Sequence, residues 1–253
     1  MRLIPLVFGL LLALPGCARL RPTPAPLRTV RYEGSGQPRT LVVLLPGRYD
    51  SPGDFGRAGF PEMAARAGAQ VDMVAVDAHL GYYFKRIIVE RLHEDVIVPA
   101  RRRYERIWLV GVSVGGTGSL AYAESHPENV DGIVLLAPFL GEEVVGEVAA
   151  AGGLRGWQPP HPLAPDDYQR RLWAWLKRYE GGSEGEIPLY LGYGTRDSFA
   201  RANGLLGEIL PEERVFILPG GHDWRTWRAL WEDLAPALVA PLRPAPASAE
   251  RRE

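Results

Sequence analysis

The chain has 253 residues, 46% of them hydrophobic and 23% charged, a balance that suits one folded domain and excludes a disordered or fibrous chain. Its formal net charge is −1 at pH 7, so no overall basic field exists to gather phosphates, which argues against a nucleic-acid partner. Cys17 is the single cysteine, and an internal disulfide is thereby excluded.

The N-terminal "MRLIPLVFGLLLALPGCARL" has a charge at Arg2, an apolar stretch from Leu3 to Leu14 and small residues before Cys17, the layout of a secretory signal. The stretch is shorter than the roughly 20 residues of a membrane-spanning helix, so export followed by cleavage is expected. "LPGC", Leu14 to Cys17, resembles the lipobox of bacterial lipoproteins, with Pro15 where alanine or serine is commoner. That resemblance implies a signal over 1–17, lipid on Cys17 and residence at a bacterial cell envelope. It also accounts for a lone thiol in an exported protein. "RPTPAPLR" then reads as part of a stiff Pro-rich tether over 18–28. The folded domain is expected over 29–241, followed by a disordered tail over 242–253.

"TVRYEGSG" reads as an antiparallel edge strand. After it come short apolar runs: "TLVVLLP", "VDMVAVD", "RIWLVGV", "VDGIVLLAP", "PLYLGYG" and "RVFILPG". Nearly continuous Val, Ile and Leu suits strands buried on both faces. Between them, "FPEMAARAG", "VERLHEDVIVPARRRY", "GTGSLAYAESHP", "ANGLLGEIL" and "WRTWRALWEDLAPAL" carry helical patterns. Alternating strands and helices predict an α/β fold, a mainly parallel sheet with helices on both faces. "RRRYER", Arg101 to Arg106, reads as a solvated helix end. A cap insertion is expected over about 140–187. Its Trp157 and Trp173, with Tyr82 and Tyr83 of "HLGYYFKR" and Trp224, are candidate walls of a substrate pocket, although aromatics at helical spacing are as often simply packed.

In such a sheet, ligands gather at the carboxyl ends of the strands. Ser113 follows "RIWLVGV" there, inside "GVSVG". A strand-to-helix reversal about one residue strains that residue's backbone, and Gly111 and Gly115 give the chain room to pass. Asp197 in "GTRDSF" and His222 in "LPGGHDW" follow two later strands. A serine hydroxyl needs a base to become a nucleophile, and the base needs an acid to orient it. Ser113, His222 and Asp197 supply these types in an order known for such sites. Asp223 adjoins His222 but should point away from it. For a developing oxyanion the candidate donors are the amides of Val114, which opens a helix, and of Arg48 in "LPGRYD".

With these residues in place the chain resembles the α/β-hydrolase superfamily across about Thr40 to Leu238. "GGHDWRTWRALW" is similar to the closing motif of the esterase D and S-formylglutathione hydrolase group, met here by Gly220 or Gly221, His222, Trp224 and Trp227. The resemblance implies hydrolysis of a small-molecule carboxylic ester through an acyl-enzyme, with no metal and no cofactor. A thioesterase or peptidase would use the same residues. The alternative of a different class is a non-catalytic binding lipoprotein on the same fold.

Overall fold

The computed structural model describes residues 21–164, 166–181 and 186–239. The expected signal segment, Cys17 and the C-terminal tail lie outside these described residues. The apolar runs form β1 (Thr29–Tyr32), β2 (Thr40–Leu45), β3 (Val71–Val76), β4 (Arg106–Val112), β5 (Gly132–Leu136), β6 (Leu189–Gly194) and β7 (Val215–Leu218). They make one seven-stranded sheet in the order β1-β3-β2-β4-β5-β6-β7. β1 runs antiparallel on β3 as an edge, and every other pairing is parallel. β2 and β3 are buried along their whole length, whereas the outer strands β1 and β7 are half open. Continuous apolar runs therefore mark the strands inside the sheet, as covering on both faces requires.

The helices are α1 (Gly53–Arg57), α2 (Phe60–Arg66), α3 (Leu80–Phe84), α4 (Ile88–Leu92), α5 (Val98–Arg101), α6 (Val114–Ser125), α7 (Glu143–Ala150), α8 (Tyr168–Leu176), α9 (Ala200–Gly207) and α10 (Trp224–Leu234). α2 packs against α10, where the Phe60 and Trp231 rings stack with centroids 4.9 Å apart and the indole N–H of Trp231 donates to the Phe60 carbonyl at 3.0 Å. α6 packs against α4 and α8 in the other helical layer. The run expected as one helix from Val89 to Tyr104 is divided. A π-helical turn over His93–Ile97 separates α4 from α5, directly before Pro99, which has no N–H to donate to an α-helical ladder.

Two segments depart from their sequence expectations. The basic run is not merely solvated, because Arg101 bonds Asp131 at 2.8 Å and Arg103 bonds Asp72 at 3.1 Å. The described part of the expected tether, residues 21–28, is a strap laid on the domain. Arg21 pairs with Asp77 at 2.8 Å, the Pro24 carbonyl accepts from the Tyr82 hydroxyl at 2.8 Å, and Leu27 is buried with its N–H donated to Asp95 at 2.8 Å. Pro-rich sequence keeps this segment extended, so its carbonyls remain free to accept from the body.

The expected insertion between β5 and β6 contains α7 and α8. Trp173 is fully buried and donates its indole N–H to the Leu140 carbonyl at 2.9 Å. Arg170 joins α7 to the start of α8 through Glu147 and Asp167.

Candidate active site

β4 ends at Val112 and α6 begins at Val114, leaving Ser113 alone at the reversal. Its backbone sits at φ 53° and ψ −120°, a region that costs a non-glycine residue of order 1–3 kcal/mol and persists only where its surroundings fix it. Three backbone bonds do so. The Ser113 N–H donates to the Leu136 carbonyl at 3.0 Å, and the Ser113 carbonyl accepts from Gly116 at 2.9 Å and Phe139 at 3.0 Å. The flanking glycines are required by space. A Cβ on Gly111 would stand 2.6 Å from the Gly116 Cα, and one on Gly115 would stand 2.7 Å from the Pro46 carbonyl oxygen.

Asp197 and His222 arrive from β6 and β7. The loops beyond these strands are joined by backbone bonds, from Thr195 N–H to the Leu218 carbonyl at 2.8 Å and from Arg196 N–H to the Gly220 carbonyl at 2.8 Å. Asp197 Oδ2 lies 2.8 Å from His222 Nδ1, and His222 Nε2 lies 2.9 Å from Ser113 Oγ. Beside a carboxylate, Nδ1 carries the proton and donates, which leaves Nε2 bare to accept from the serine hydroxyl. The other Asp197 oxygen accepts from Phe199 N–H at 2.8 Å, and the carboxylate is fully shielded from solvent. The imidazole is held edgewise between Phe199 at 4.8 Å and Trp227 at 4.9 Å. Asp223 takes no part in this chain. Its Oδ1 accepts from Thr226 N–H at 2.9 Å and caps α10.

The loop after β2 passes close to Ser113. A Cβ on Gly47 would be 3.5 Å from the Ser113 Cβ. The amides of Arg48 and Val114 have no backbone partner among the described residues, and Val114 stands in the first turn of α6, where N–H groups are unpaired and the helix dipole favours an anion. Chemically, the arrangement offers a hydroxyl beside a base and a base beside an acid, with the first amide of α6 on the residue that follows the serine.

A groove of ≈ 680 Å³ runs along α6 from Val114, the residue after Ser113. Val114, Thr117, Ala121 and Ser125 form its α6 side, while Tyr83, Ile88, Phe139 and Leu172 are among its apolar walls. Glu124 and Arg171, bonded at 2.7 Å, stand at its far end. A smaller cleft of ≈ 300 Å³ opens beside Val71, at the opposite edge of the sheet.

Of the residues expected to wall a pocket, Tyr83 alone borders this groove. Tyr82 is buried under the strap, and Trp157 and Trp173 belong to the core. These are corrections: for Tyr82 and Trp173 the step of about 100° per helical residue turns the ring to the dry side, and Trp157, outside any helix, is drawn there by its apolar area alone. Trp224 is a different case. It packs edge to face on Trp227 at 5.4 Å and donates its indole N–H to Asp50 at 2.8 Å, on the histidine side of the site. Sequence reasoning missed Asp50, Thr117 and Phe139. Asp50 carried a signal in its place just after the "LPG" turn, whereas Phe139 is brought in by tertiary contacts, its N–H on the Ser113 carbonyl and its ring 5.3 Å from Phe199.

Comparison with known proteins agrees with this architecture. A model of the alpha/beta hydrolase fold matches residues 102–154, the stretch holding β4, Ser113 and β5. Lysophospholipase L2 of Escherichia coli (strain K12) is 27% identical over 158 residues, covering 56% of this chain and 45% of that protein. An acetyl esterase of Caldicellulosiruptor saccharolyticus is 24% identical over 169 residues, covering 60% of each. The chain thus spans less than two thirds of the length of these relatives. The crystal structure of an S-formylglutathione hydrolase from Staphylococcus aureus superposes with a TM-score of 0.56 at 15% identity, covering 80% of this chain and 82% of that one. Strand order, the position of Ser113 between β4 and α6, and these matches make the chain an α/β-hydrolase by fold.

Proposed function

We propose that the protein is an exported serine hydrolase that cleaves carboxylic esters through an acyl-enzyme on Ser113, and that lipid on Cys17 holds it at a bacterial envelope. The observation that carries the catalytic reading is the unbroken hydrogen-bond chain Asp197–His222–Ser113, with links of 2.8 and 2.9 Å. The acetyl esterase among the relatives supports the choice of an ester as the bond that is cut.

In this reading, Ser113 Oγ attacks the ester carbonyl carbon while His222 Nε2 takes the hydroxyl proton. The imidazolium keeps its Nδ1–H on Asp197, which offsets the new charge. The carbonyl oxygen becomes an oxyanion between the Val114 and Arg48 amides, donors that need no rearrangement as charge develops. Collapse breaks the bond to the alkoxy oxygen, which leaves as the alcohol after receiving the His222 proton. A water then repeats the sequence on the acyl-enzyme and releases the acid. The acyl chain lies in the groove along α6.

The test combines labelling and turnover. A fluorophosphonate probe should modify the wild type at Ser113, identified by peptide mass. Ser113→Ala and His222→Ala should lose on the order of a millionfold in kcat on p-nitrophenyl butyrate, and Asp197→Asn somewhat less. Circular dichroism should show all three folded. Wild-type turnover by Ser113→Ala would remove the assignment, while full activity of Asp197→Asn would move only the acid role.

A further inference from the structure

The loop that passes Ser113 at Gly47 and carries Arg48 also holds a carboxylate outside the hydrogen-bond chain just described. Asp50 is partly buried and makes no ion pair among the described residues, since Arg57 bonds Asp54 and Arg48 lies over the Tyr49 ring. An unpaired, half-buried carboxylate is costly to keep unless its hydrogen bonds do something in return. The Gly47 backbone bonds this carboxylate. Asp50 N–H donates to the Gly47 carbonyl at 3.3 Å, closing the loop on itself, and Oδ1 accepts from the Trp224 indole N–H at 2.8 Å. Oδ2 faces Gly47, where a Cβ would come within 2.5 Å of it, so the glycine also makes room for the carboxylate.

Trp224 is fixed independently. Its ring meets Phe55 at 5.3 Å, Phe60 at 5.9 Å and Trp227 at 5.4 Å, all edge to face, and Trp227 in turn flanks the His222 imidazole. One hydrogen bond therefore spans 174 residues of sequence and joins the loop of the Arg48 amide to the segment of the base. Neither partner touches the serine.

We propose that Asp50 is a positioning residue which, through Trp224, holds the Arg48 amide and His222 in register about Ser113. This rests on the hydrolase reading above. Burial holds the Asp50 carboxyl above its ordinary range, with Asp54 adding repulsion, and the indole donor, the Gly47 backbone and the nearby His222 only partly oppose this. Loss of the tie lets the loop and the base drift apart. A displacement near 1 Å in such a constellation costs on the order of a hundredfold in rate, and the groove that binds the acyl chain is untouched.

The experiment compares the purified full chain with Asp50→Ala, Asp50→Asn and Trp224→Phe in steady-state hydrolysis of p-nitrophenyl butyrate, in fluorophosphonate labelling and in thermal melting. Asp50→Ala and Trp224→Phe should lower kcat by roughly ten- to a hundredfold with KM little changed, and slow labelling in step. Asp50→Asn should restore most of kcat, because an amide oxygen still accepts the indole N–H. A lowered melting temperature with wild-type kcat in folded Asp50→Ala would overturn the proposal, as would Asn performing no better than Ala. If the wild type itself takes no probe and hydrolyses no ester, the hydrolase reading has failed and the role of Asp50 falls with it.

Discussion

Asp223 sits next to the candidate base yet serves the helix that follows it. Its Oδ1 accepts from both the N–H and the hydroxyl of Thr226 at 2.9 and 3.1 Å, satisfying a donor that the first turn of α10 would leave unpaired. Asp223→Ala should lower stability by about 1 kcal/mol. The pH dependence of this contribution has a definite sign. The backbone bond from Thr226 holds the Asp223 carboxyl below its ordinary range, more than burial raises it. A depressed folded pKa stabilises fully above the unfolded value of about 3.9 and is lost as pH falls through the folded value. Urea unfolding should therefore separate wild type from Asp223→Ala at neutral pH and bring them together in strong acid, and a gap that persists in acid would assign the effect elsewhere. That Asp223 points away from the base is legible in the sequence, because adjacent side chains diverge. Ser113 is legible for a related reason, as only the glycines at 111 and 115 permit the close approaches made there. Trp157 and Trp173 were not legible as core residues, since an aromatic in an insertion reads alike whether it lines a groove or fills one.

Among the elements, α6 does two things, presenting its first amide beside Ser113 and forming one side of the groove. The side from Val114 to Ser125 is about 16 Å long by the α-helical rise. An acyl chain laid along it buries methylenes at up to roughly 0.8 kcal/mol each. Ester hydrolysis should therefore rise in kcat/KM from acetate through butyrate and octanoate to decanoate. Ala121 borders the groove partway along, so Ala121→Trp should block its outer half and lower the decanoate-to-acetate ratio of kcat/KM. An unchanged ratio in the folded variant would show that the acyl chain lies elsewhere. The strands that set this geometry were readable because burial on both faces leaves one pattern, an unbroken apolar run. The strap over 21–28 was not. Its composition predicts an extended chain, and only the positions of Asp77, Tyr82 and Asp95 on the body decide that it docks.

At the scale of the whole molecule, the parallel sheet collects Leu45, Val112, Gly194 and Leu218 at one edge, and every candidate catalytic residue follows one of these strand ends. Convergence of that kind follows from topology, so the order of serine, acid and histidine in the chain already implied it. The same edge bears on the proposed anchor. The strap docks beside it, with Arg21 on Asp77 just past β3 and the Pro22 carbonyl 3.0 Å from His79 Nε2. Cys17 lies four residues before Arg21, a reach of about 14 Å at full extension. Lipid on Cys17 would therefore hold the domain close against a bilayer with the strand ends near it, whereas a free tether would let it tumble. Metabolic labelling with a fatty-acid analogue should mark the protein, and Cys17→Ser should abolish both the label and sedimentation with membranes while leaving the exported domain folded. A bilayer needs two or more acyl chains for stable retention, so partial release into the soluble fraction would report incomplete acylation. Equal membrane association of Cys17→Ser, or no label on the wild type, would sink the anchor and leave the catalytic assignment standing, because that assignment is carried by the bonds among Ser113, His222 and Asp197.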